Sequence, residues 1–185
     1  MQHSVTLSGW GCHIRPVTVA DAAFIVRLRS QEQAKGNIHA TSSSVADQEK
    51  WIQNYYDREG DYYWIIEDIN NIPVGAMGLY NYNAGLGEGE VGRWVMFPEF
   101  SFNLAAPLLL VYRWAFETLN VRRIVFDVVS TNRKVLKFHK LIGARETFLK
   151  ANALHINDQM VDMQWFEVTR EMWPSIFERW DAILA

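Results

Sequence analysis

The sequence predicts a single α/β domain in which strands and helices alternate. The clearest observation is residues 90–143, where a strand, a long apolar helix, a second strand and a short amphipathic helix follow one another without long linkers. Alternation of this kind is typical of a crossover unit, in which parallel or mixed strands pack under helices. The second observation is length, because 185 residues suit one domain with a substantial buried core.

Composition excludes several classes of protein. Hydrophobic residues make up 49% and charged residues 21%, which is ordinary for a soluble globular protein. The formal net charge of −3, without a block of lysine or arginine, argues against a general nucleic-acid binder. No apolar stretch reaches about 18 residues, so no membrane span is expected. The first residues lack the pattern of a signal peptide, and a lone cysteine, Cys12, fits a cytoplasmic protein without an internal disulfide.

The N-terminal elements begin after a short leader. Residues 1–10 are expected to be this loose leader, and residues 12–16 alternate in polarity and predict a first strand. Thr18 and Asp21 resemble a capping box, which marks the start of a helix that fades near Gln33.

A polar loop, a second helix and a three-strand meander follow. In the loop, Asn37 and His39 suggest a segment that faces a substrate, although a plain surface loop explains the composition equally well. The third strand of the meander contains Glu90. The helix is expected at 44–57 and the strands at 62–67, 72–82 and 90–96.

Strict alternation along 90–96 divides the side chains between two faces. If the face that carries Glu90 lines a cleft, this carboxylate lies among apolar groups and suits general-base catalysis, directly or through a water. Alternatively, Glu90 lies at a solvated strand end or pairs with Arg93 or another cation. The predicted faces are Glu90, Gly92, Trp94 and Met96 on one side and Val91, Arg93 and Val95 on the other.

The helix expected at 104–119 is apolar on nearly all sides, which predicts burial on two sides. Pro107 is tolerated in its first turn. The small residues Ala105 and Ala106 would let a phosphate approach the backbone. Because the glycines and the lysine of a P-loop are missing, nucleotide triphosphate hydrolysis is not expected.

The C-terminal part begins with a buried strand at 122–129. Ser130 or Thr131 is expected to cap the next helix, which Gly143 closes. His139 falls on or beside the core-facing stripe of that helix, where a histidine is more often a satisfied core residue than a functional one. Two strands at 145–156 and 159–168 and a helix at 169–184 complete the chain. Trp165 and this last helix could pack on a second subunit, as in a homodimer, or close the core.

Several motifs, in this order, resemble the GCN5-related N-acetyltransferase (GNAT) family, in particular the branch of ribosomal-protein N-terminal and sugar-nucleotide acetyltransferases. They include IRPVTVADA, IPVGAMGLYN and EVGRWV followed by Pro98, and the resemblance spans about residues 12–168. The most specific run is Asn132-x-x-Val-x-x-Phe138-His139-x-x-x-Gly143-Ala144, where the family has Asn-x-x-Ala-x-x-Phe-Tyr-x-x-x-Gly-Phe.

The resemblance implies a mostly antiparallel twisted sheet of about seven strands flanked by helices. It also implies an opening between strands 90–96 and 122–129 that binds acetyl-CoA, with Glu90 as base. His139 takes the place of the family's tyrosine acid, and the pyrophosphate loop lacks its usual basic or amide residue and middle glycine. The implied cofactor-binding residues are Val95, Met96, Asn103, Leu104, Ala105, Ala106, Asn132 and Phe138, and the implied substrate residues are Asn37, His39, Tyr80 and Asn81.

The function expected from the resemblance is transfer of an acetyl group to a primary amine. The first candidate acceptor is a small amine such as a nucleotide-linked amino sugar, and the second is a protein N-terminal amine. Two features depart from the family pattern, His139 in place of the tyrosine and the altered pyrophosphate loop. They motivate a third hypothesis, a non-catalytic acyl-CoA-binding domain. No metal is expected, because the histidines lack the spacing of metal ligands.

Overall fold

The computed structural model describes residues 2–31, 42–156 and 159–185, and for 101–103 it describes only the backbone. These residues form eight strands, five α-helices and two short 3₁₀ helices at Val19–Asp21 and Pro98–Asn103. The strands are β1 (Leu7–Gly9), β2 (Cys12–Pro16), β3 (Tyr62–Glu67), β4 (Pro73–Asn83), β5 (Glu88–Met96), β6 (Arg123–Val129), β7 (Arg145–Ile156) and β8 (Gln159–Thr169). The helices are α1 (Ala22–Arg29), α2 (Val45–Tyr55), α3 (Ala105–Glu117), α4 (Arg133–Ile142) and α5 (Trp173–Leu184).

The strands form one sheet in the order β1-β2-β3-β4-β5-β6-β8-β7. Every neighbouring pair is antiparallel except β5 and β6, which are parallel. This confirms the predicted mixed, mostly antiparallel sheet flanked by helices. The eighth strand is β1, which the expectation of a loose leader missed. It pairs with β2 through a tight turn at Trp10 and Gly11, whose φ values of 50° and 70° suit a two-residue hairpin.

Two apolar cores lie on the two faces of the sheet. Alternation along β3 shows this directly, because Tyr62 and Trp64 belong to the larger core and Tyr63 and Ile65 to the smaller one. The larger core packs α3, α4 and α5 against the sheet, and the smaller one packs α1 and α2. As predicted, α3 is buried on almost all sides, because all of its residues except Arg113 and Glu117 are buried.

A β-bulge in β5 overturns the predicted division of its side chains. Ala76 pairs with Val95 and Gly78 with Gly92, so two residues of β5 oppose the single residue between them on β4. Arg93, at the bulge, has a φ of 51°. The extra residue shifts the alternation by one. Beyond the bulge, Trp94 and Met96 pack on the same core as Val91, whereas Val95 packs on the opposite one, where Arg93 contacts Trp51 and Tyr63.

The two ends of α4 can be compared with the predicted caps. Asn132, rather than Ser130 or Thr131, caps α4, because its side-chain oxygen accepts a hydrogen bond of 3.3 Å from the backbone N–H of Val135. Gly143 closes α4 with a φ of 112°, as predicted.

No helix among the described residues has the length and apolar character needed to cross a bilayer.

Candidate active site

The candidate site begins where β5 and β6 separate. Their parallel ladder has only three pairs, and the last joins Glu90 to Val125. Beyond Glu90, the described residues show no further pairing between the two strands, although β5 continues to Met96 and β6 to Val129. The edge of β5 that carries Val95 and Met96 is therefore open toward β6, and an extended ligand can pair with its backbone.

Glu90 lies at the apex of this opening and is held by two neighbours on β4. The Tyr80 hydroxyl donates a hydrogen bond of 2.9 Å to Glu90 Oε1, and Asn81 Nδ2 donates one of 3.0 Å to Oε2. Burial raises the pKa of Tyr80, and the nearby Glu90 carboxylate raises it further, so the phenol stays protonated and remains a donor. The alternative that Glu90 pairs with Arg93 is wrong.

Arg93 instead positions Tyr80 from the other side. Its guanidinium makes a bidentate ion pair with the buried Asp61, with distances of 2.6 and 2.9 Å, and lies 4.3 Å from the centre of the Tyr80 ring. Gly92 leaves the space that this arrangement needs, because a Cβ at that position would overlap the Tyr80 hydroxyl. An ordered chain of contacts thus runs from Asp61 to Glu90.

A cleft of about 510 Å³ lies beside this chain of contacts, on the face of the sheet covered by α1 and α2. Its volume suits a small molecule. Tyr80 and Arg93 form part of its wall, so the cleft adjoins Glu90. Its lining residues are Arg29, Ser42, Asp47, Gln48, Trp51, Tyr63, Tyr80 and Arg93.

His139 lies on the other side of the sheet, inside an aromatic cage. It is only 5% exposed, and its ring centre is 4.3 Å from that of Phe126 and 6.0 Å from that of Trp94. Burial lowers the pKa of His139 to about 3, so the ring is neutral near pH 7. Within the described residues, its Nδ1 has no hydrogen-bond partner. This environment favours a packing role over that of a catalytic acid.

The other residues expected to hold acetyl-CoA lie around the opening. Phe138 on α4 packs against Trp94 on β5, with their ring centres 5.5 Å apart. The unpaired backbone of β5 beyond Glu90 is the feature of this opening that suits a pantetheine arm. Asn132 uses its side-chain oxygen as the cap of α4.

The N-terminus of α3 follows β5 after the short 3₁₀ helix Pro98–Asn103. Among the residues whose side chains the structure describes, none caps this end, where the helix dipole is positive. Leu104 precedes the helix, and the side chains of Ala105 and Ala106 are buried. The Asn103 side chain, together with Asn37 and His39, lies outside the described residues.

The structure therefore brings together Glu90, Tyr80 and Asn81, and it places His139 apart from them. Sequence reasoning missed Arg93 and Asp61, because strict alternation assigned Arg93 to the wrong face. The adjacent glycine was the available signal, since a glycine within a strand often marks a bulge. Among the described residues, no cluster of three or more His, Cys, Asp and Glu side chains could hold a metal ion.

Comparison with known proteins identifies the fold. The family model described as Acetyltransferase (GNAT) domain matches residues 12–145. No curated protein sequence matches the chain significantly. Among solved structures, a GCN5-related N-acetyltransferase from Brucella melitensis has a TM-score of 0.86 and 18% identity, over 99% of this chain and 86% of that one.

Two further solved structures are similar to this chain. One is the apo form of FdhC, described as a nucleotide-linked sugar GNAT, with a TM-score of 0.82 and 23% identity over 99% of this chain and 100% of that one. The other is a point mutant of the spermidine N-acetyltransferase SpeG from Vibrio cholerae, with a TM-score of 0.79 and 17% identity over 90% of this chain and 98% of that one. At these identities the likeness shows the fold and leaves the acceptor open.

Proposed function

The chain belongs to the GNAT acetyltransferase family, whose members use acetyl-CoA as co-substrate, and we propose that it acetylates the primary amine of a small acceptor. The observation that carries the proposal is the position of Glu90. This carboxylate lies at the apex of the β5–β6 opening and is fixed by Tyr80 and Asn81 beside a cleft of small-molecule size.

Glu90 acts as the general base. Acetyl-CoA supplies an activated thioester, and attack by the amine forms a C–N bond as the C–S bond breaks. The nitrogen gives up a proton to Glu90, directly or through a water. Tyr80 and Asn81 hold both carboxylate oxygens, so the base does not need to reorient during the reaction.

The open edge of β5 positions the thioester. Backbone N–H groups beyond Glu90 are available to pair with the pantetheine arm at Val95 and Met96 and to stabilise the oxyanion. The first turn of α3, from Leu104 to Ala106, binds the pyrophosphate through its N–H groups, with Asn103 before it and Asn132 and Phe138 across the opening.

The thiolate leaves without a proton from His139. Burial keeps that ring neutral, and it packs against the rings of Phe126 and Trp94. A thiol has an ordinary pKa of about 8.5, so a thiolate is an acceptable leaving group near neutral pH. Solvent supplies the proton afterwards.

A small acceptor is favoured over a protein N-terminus because the cleft, with a volume of about 510 Å³, has the size of a small-molecule site. A nucleotide-linked amino sugar is the first candidate. The fold likeness to FdhC, described as a nucleotide-linked sugar GNAT, is compatible with it, as the likeness to the spermidine enzyme is with a polyamine.

Calorimetric titration with acetyl-CoA, followed by a free-thiol release assay over a panel of amines, tests the proposal. The panel contains amino sugars with and without a linked nucleotide, spermidine and a peptide with a free N-terminus. We expect binding, and thiol release with a small amine. Binding without release on any amine would indicate a non-catalytic acyl-CoA-binding domain. Failure to bind would mean that the family membership describes the fold alone.

A further inference from the structure

We infer that the cleft beside Glu90 selects primary amines whose body carries a hydroxyl group and no second charge, and that the hydroxyl of Tyr63 binds this group. The inference rests on the proposed function, because it concerns the acceptor of that reaction. The observation behind it is that a buried tyrosine lines the cleft while its own hydroxyl is left unused.

Tyr63 is only 2% exposed, yet it forms part of the cleft wall. Among the described residues, its hydrogen bonds involve its backbone alone. The Tyr63 N–H donates to the Tyr55 hydroxyl, and the Tyr63 carbonyl oxygen accepts from Val17 and His3. A buried phenol hydroxyl normally has a partner, because leaving such a group unpaired costs about 1–3 kcal/mol. A ligand in the cleft can supply that partner.

The chemistry of this wall suits an uncharged polar group. Burial raises the pKa of Tyr63, so its hydroxyl stays protonated near pH 7 and can both donate and accept a hydrogen bond. Gln48 is half-buried on α2 and adds a side-chain amide with the same two capacities. A hydroxyl group of the acceptor is complementary to both.

Tyr63 lies within reach of an amine bound at Glu90. Tyr63 on β3 pairs with Gly78 on β4, and Tyr80 follows two residues later on the same face of the sheet. Diagonal neighbours of this kind lie about 7–8 Å apart, a span that a four-carbon chain or a sugar ring bridges. Because Tyr80 holds Glu90, one acceptor can place its nitrogen at Glu90 and an oxygen at Tyr63.

The charged groups in the cleft wall are already engaged. Arg93 makes the bidentate pair with Asp61, and Arg29 has an interaction partner of its own. Asp47 is exposed and accepts a hydrogen bond from the Ser42 hydroxyl. A second ammonium group or an anion on the acceptor would therefore lose water without meeting an uncommitted counter-ion.

The test compares amines that share a skeleton and differ in one group. The first series is butylamine, 4-amino-1-butanol, 4-aminobutyrate and 1,4-diaminobutane, and the second is cyclohexylamine, 4-aminocyclohexanol and glucosamine. For the wild type we expect kcat/KM to be at least about tenfold higher for a hydroxylated member than for its counterpart without oxygen. This is the size of effect expected when a buried hydroxyl is left unpaired. The anionic and dicationic members should fall below the hydroxylated one.

Variants assign the preference to Tyr63. Tyr63→Phe keeps the ring and its contacts with Trp51 and Arg93 and removes only the hydroxyl. We expect KM for the hydroxylated amines to rise by about tenfold, with little change in kcat and little change for butylamine or cyclohexylamine. Gln48→Ala should lower the same preference.

Each variant has a matched control on its own element. Tyr62→Phe removes the hydroxyl of the neighbouring residue on β3, which packs in the core on the other face of the sheet. Gln53→Ala changes an exposed residue of α2 that is not part of the cleft wall. Both controls should keep the wild-type preference.

Two outcomes would overturn the inference and leave the acetyltransferase proposal intact. One is a kcat/KM for butylamine, 4-aminobutyrate or 1,4-diaminobutane that equals or exceeds that for 4-amino-1-butanol. The other is a preference for hydroxylated amines that survives in Tyr63→Phe.

A protein that turns over no amine is also informative. Calorimetric titration of glucosamine and cyclohexylamine into the protein saturated with acetyl-CoA then gives the result directly. Binding of glucosamine that Tyr63→Phe weakens at least about tenfold supports a hydroxyl-selective cleft without catalysis. Absence of binding, or equal binding to wild type and Tyr63→Phe, overturns the inference.

Discussion

The Tyr80 hydroxyl donates a hydrogen bond of 2.9 Å to Glu90, the last residue of β5 that pairs with β6. Tyr80 also lines the acceptor cleft and lies under the Arg93 guanidinium. A single side chain therefore connects the cleft to the apex of the cofactor opening. In the proposed mechanism, the base, the acceptor and the thioester meet at this contact.

Removing the carboxylate of Glu90 tests the base. We expect Glu90→Gln to lower kcat by about 10²- to 10⁴-fold, because an amide cannot accept the proton of the amine. The amide still accepts hydrogen bonds, so the Kd of acetyl-CoA should change little. Steady-state kinetics and calorimetry measure the two quantities separately.

The matched control for this substitution is Glu88→Gln. Glu88 lies two residues earlier on β5, and its carboxylate pairs with Arg123 at 2.8 Å on a partly exposed surface. Its kcat should stay close to that of the wild type. Equal losses in the two variants, or full activity in Glu90→Gln, would remove Glu90 from the mechanism.

Removing the hydroxyl of Tyr80 tests the positioning of the base. In Tyr80→Phe the ring still stacks on Arg93, but Glu90 loses a donor. A hydrogen bond to a charged group is worth about 1.5–3 kcal/mol, so kcat should fall by about 10- to 100-fold.

The control is Tyr82→Phe on the same strand. It removes a hydroxyl that donates to the backbone oxygen of Leu119 and not to Glu90. A loss of kcat in Tyr82→Phe as large as that in Tyr80→Phe would point to a general effect on β4.

Much of the fold was predictable because its signals are local. The helix from 105 to 117 is apolar on nearly every side, and the cap at Gly143 needs a residue that tolerates positive φ. The β1 strand was missed because three residues carry little periodicity, and only the turn at Trp10 and Gly11 brings them onto the sheet.

The site was only partly predictable because it depends on a register shift. Glu90 was named from the alternation along its strand, Tyr80 and Asn81 were named as substrate residues, and the structure brings the three together. The bulge at Arg93 depends on pairing between β4 and β5, which periodicity within one strand cannot show. The pair between Arg93 and Asp61 joins residues 32 positions apart, and such a contact exists only after the sheet forms.

The position of His139 predicts that catalysis does not need its imidazole. In His139→Leu the apolar side chain fits the surrounding rings and removes a buried nitrogen that has no partner among the described residues. We expect kcat to stay within about threefold of the wild type, well short of the roughly 10²-fold or greater loss that follows removal of a general acid. A pH–rate profile of both proteins is the measurement, and disappearance of its basic limb in His139→Leu would restore the acid role.

Two buried histidines predict a loss of stability in mild acid. Burial lowers the pKa of His3 to about 4 and that of His139 to about 3, compared with about 6.5 in an unfolded chain. Between about pH 6.5 and the folded values, the unfolded chain binds protons that the folded one does not, so the free energy of unfolding falls as the pH falls. At pH 5 the loss is about 2 kcal/mol for each histidine.

The measurement is urea unfolding at pH 7 and at pH 5. The free energy of unfolding should differ less between the two pH values in His139→Leu than in the wild type, by about 2 kcal/mol. His155→Gln, at an exposed position on β7, is the control and should behave like the wild type. An unchanged difference in His139→Leu would mean that His139 can take up a proton in the folded state.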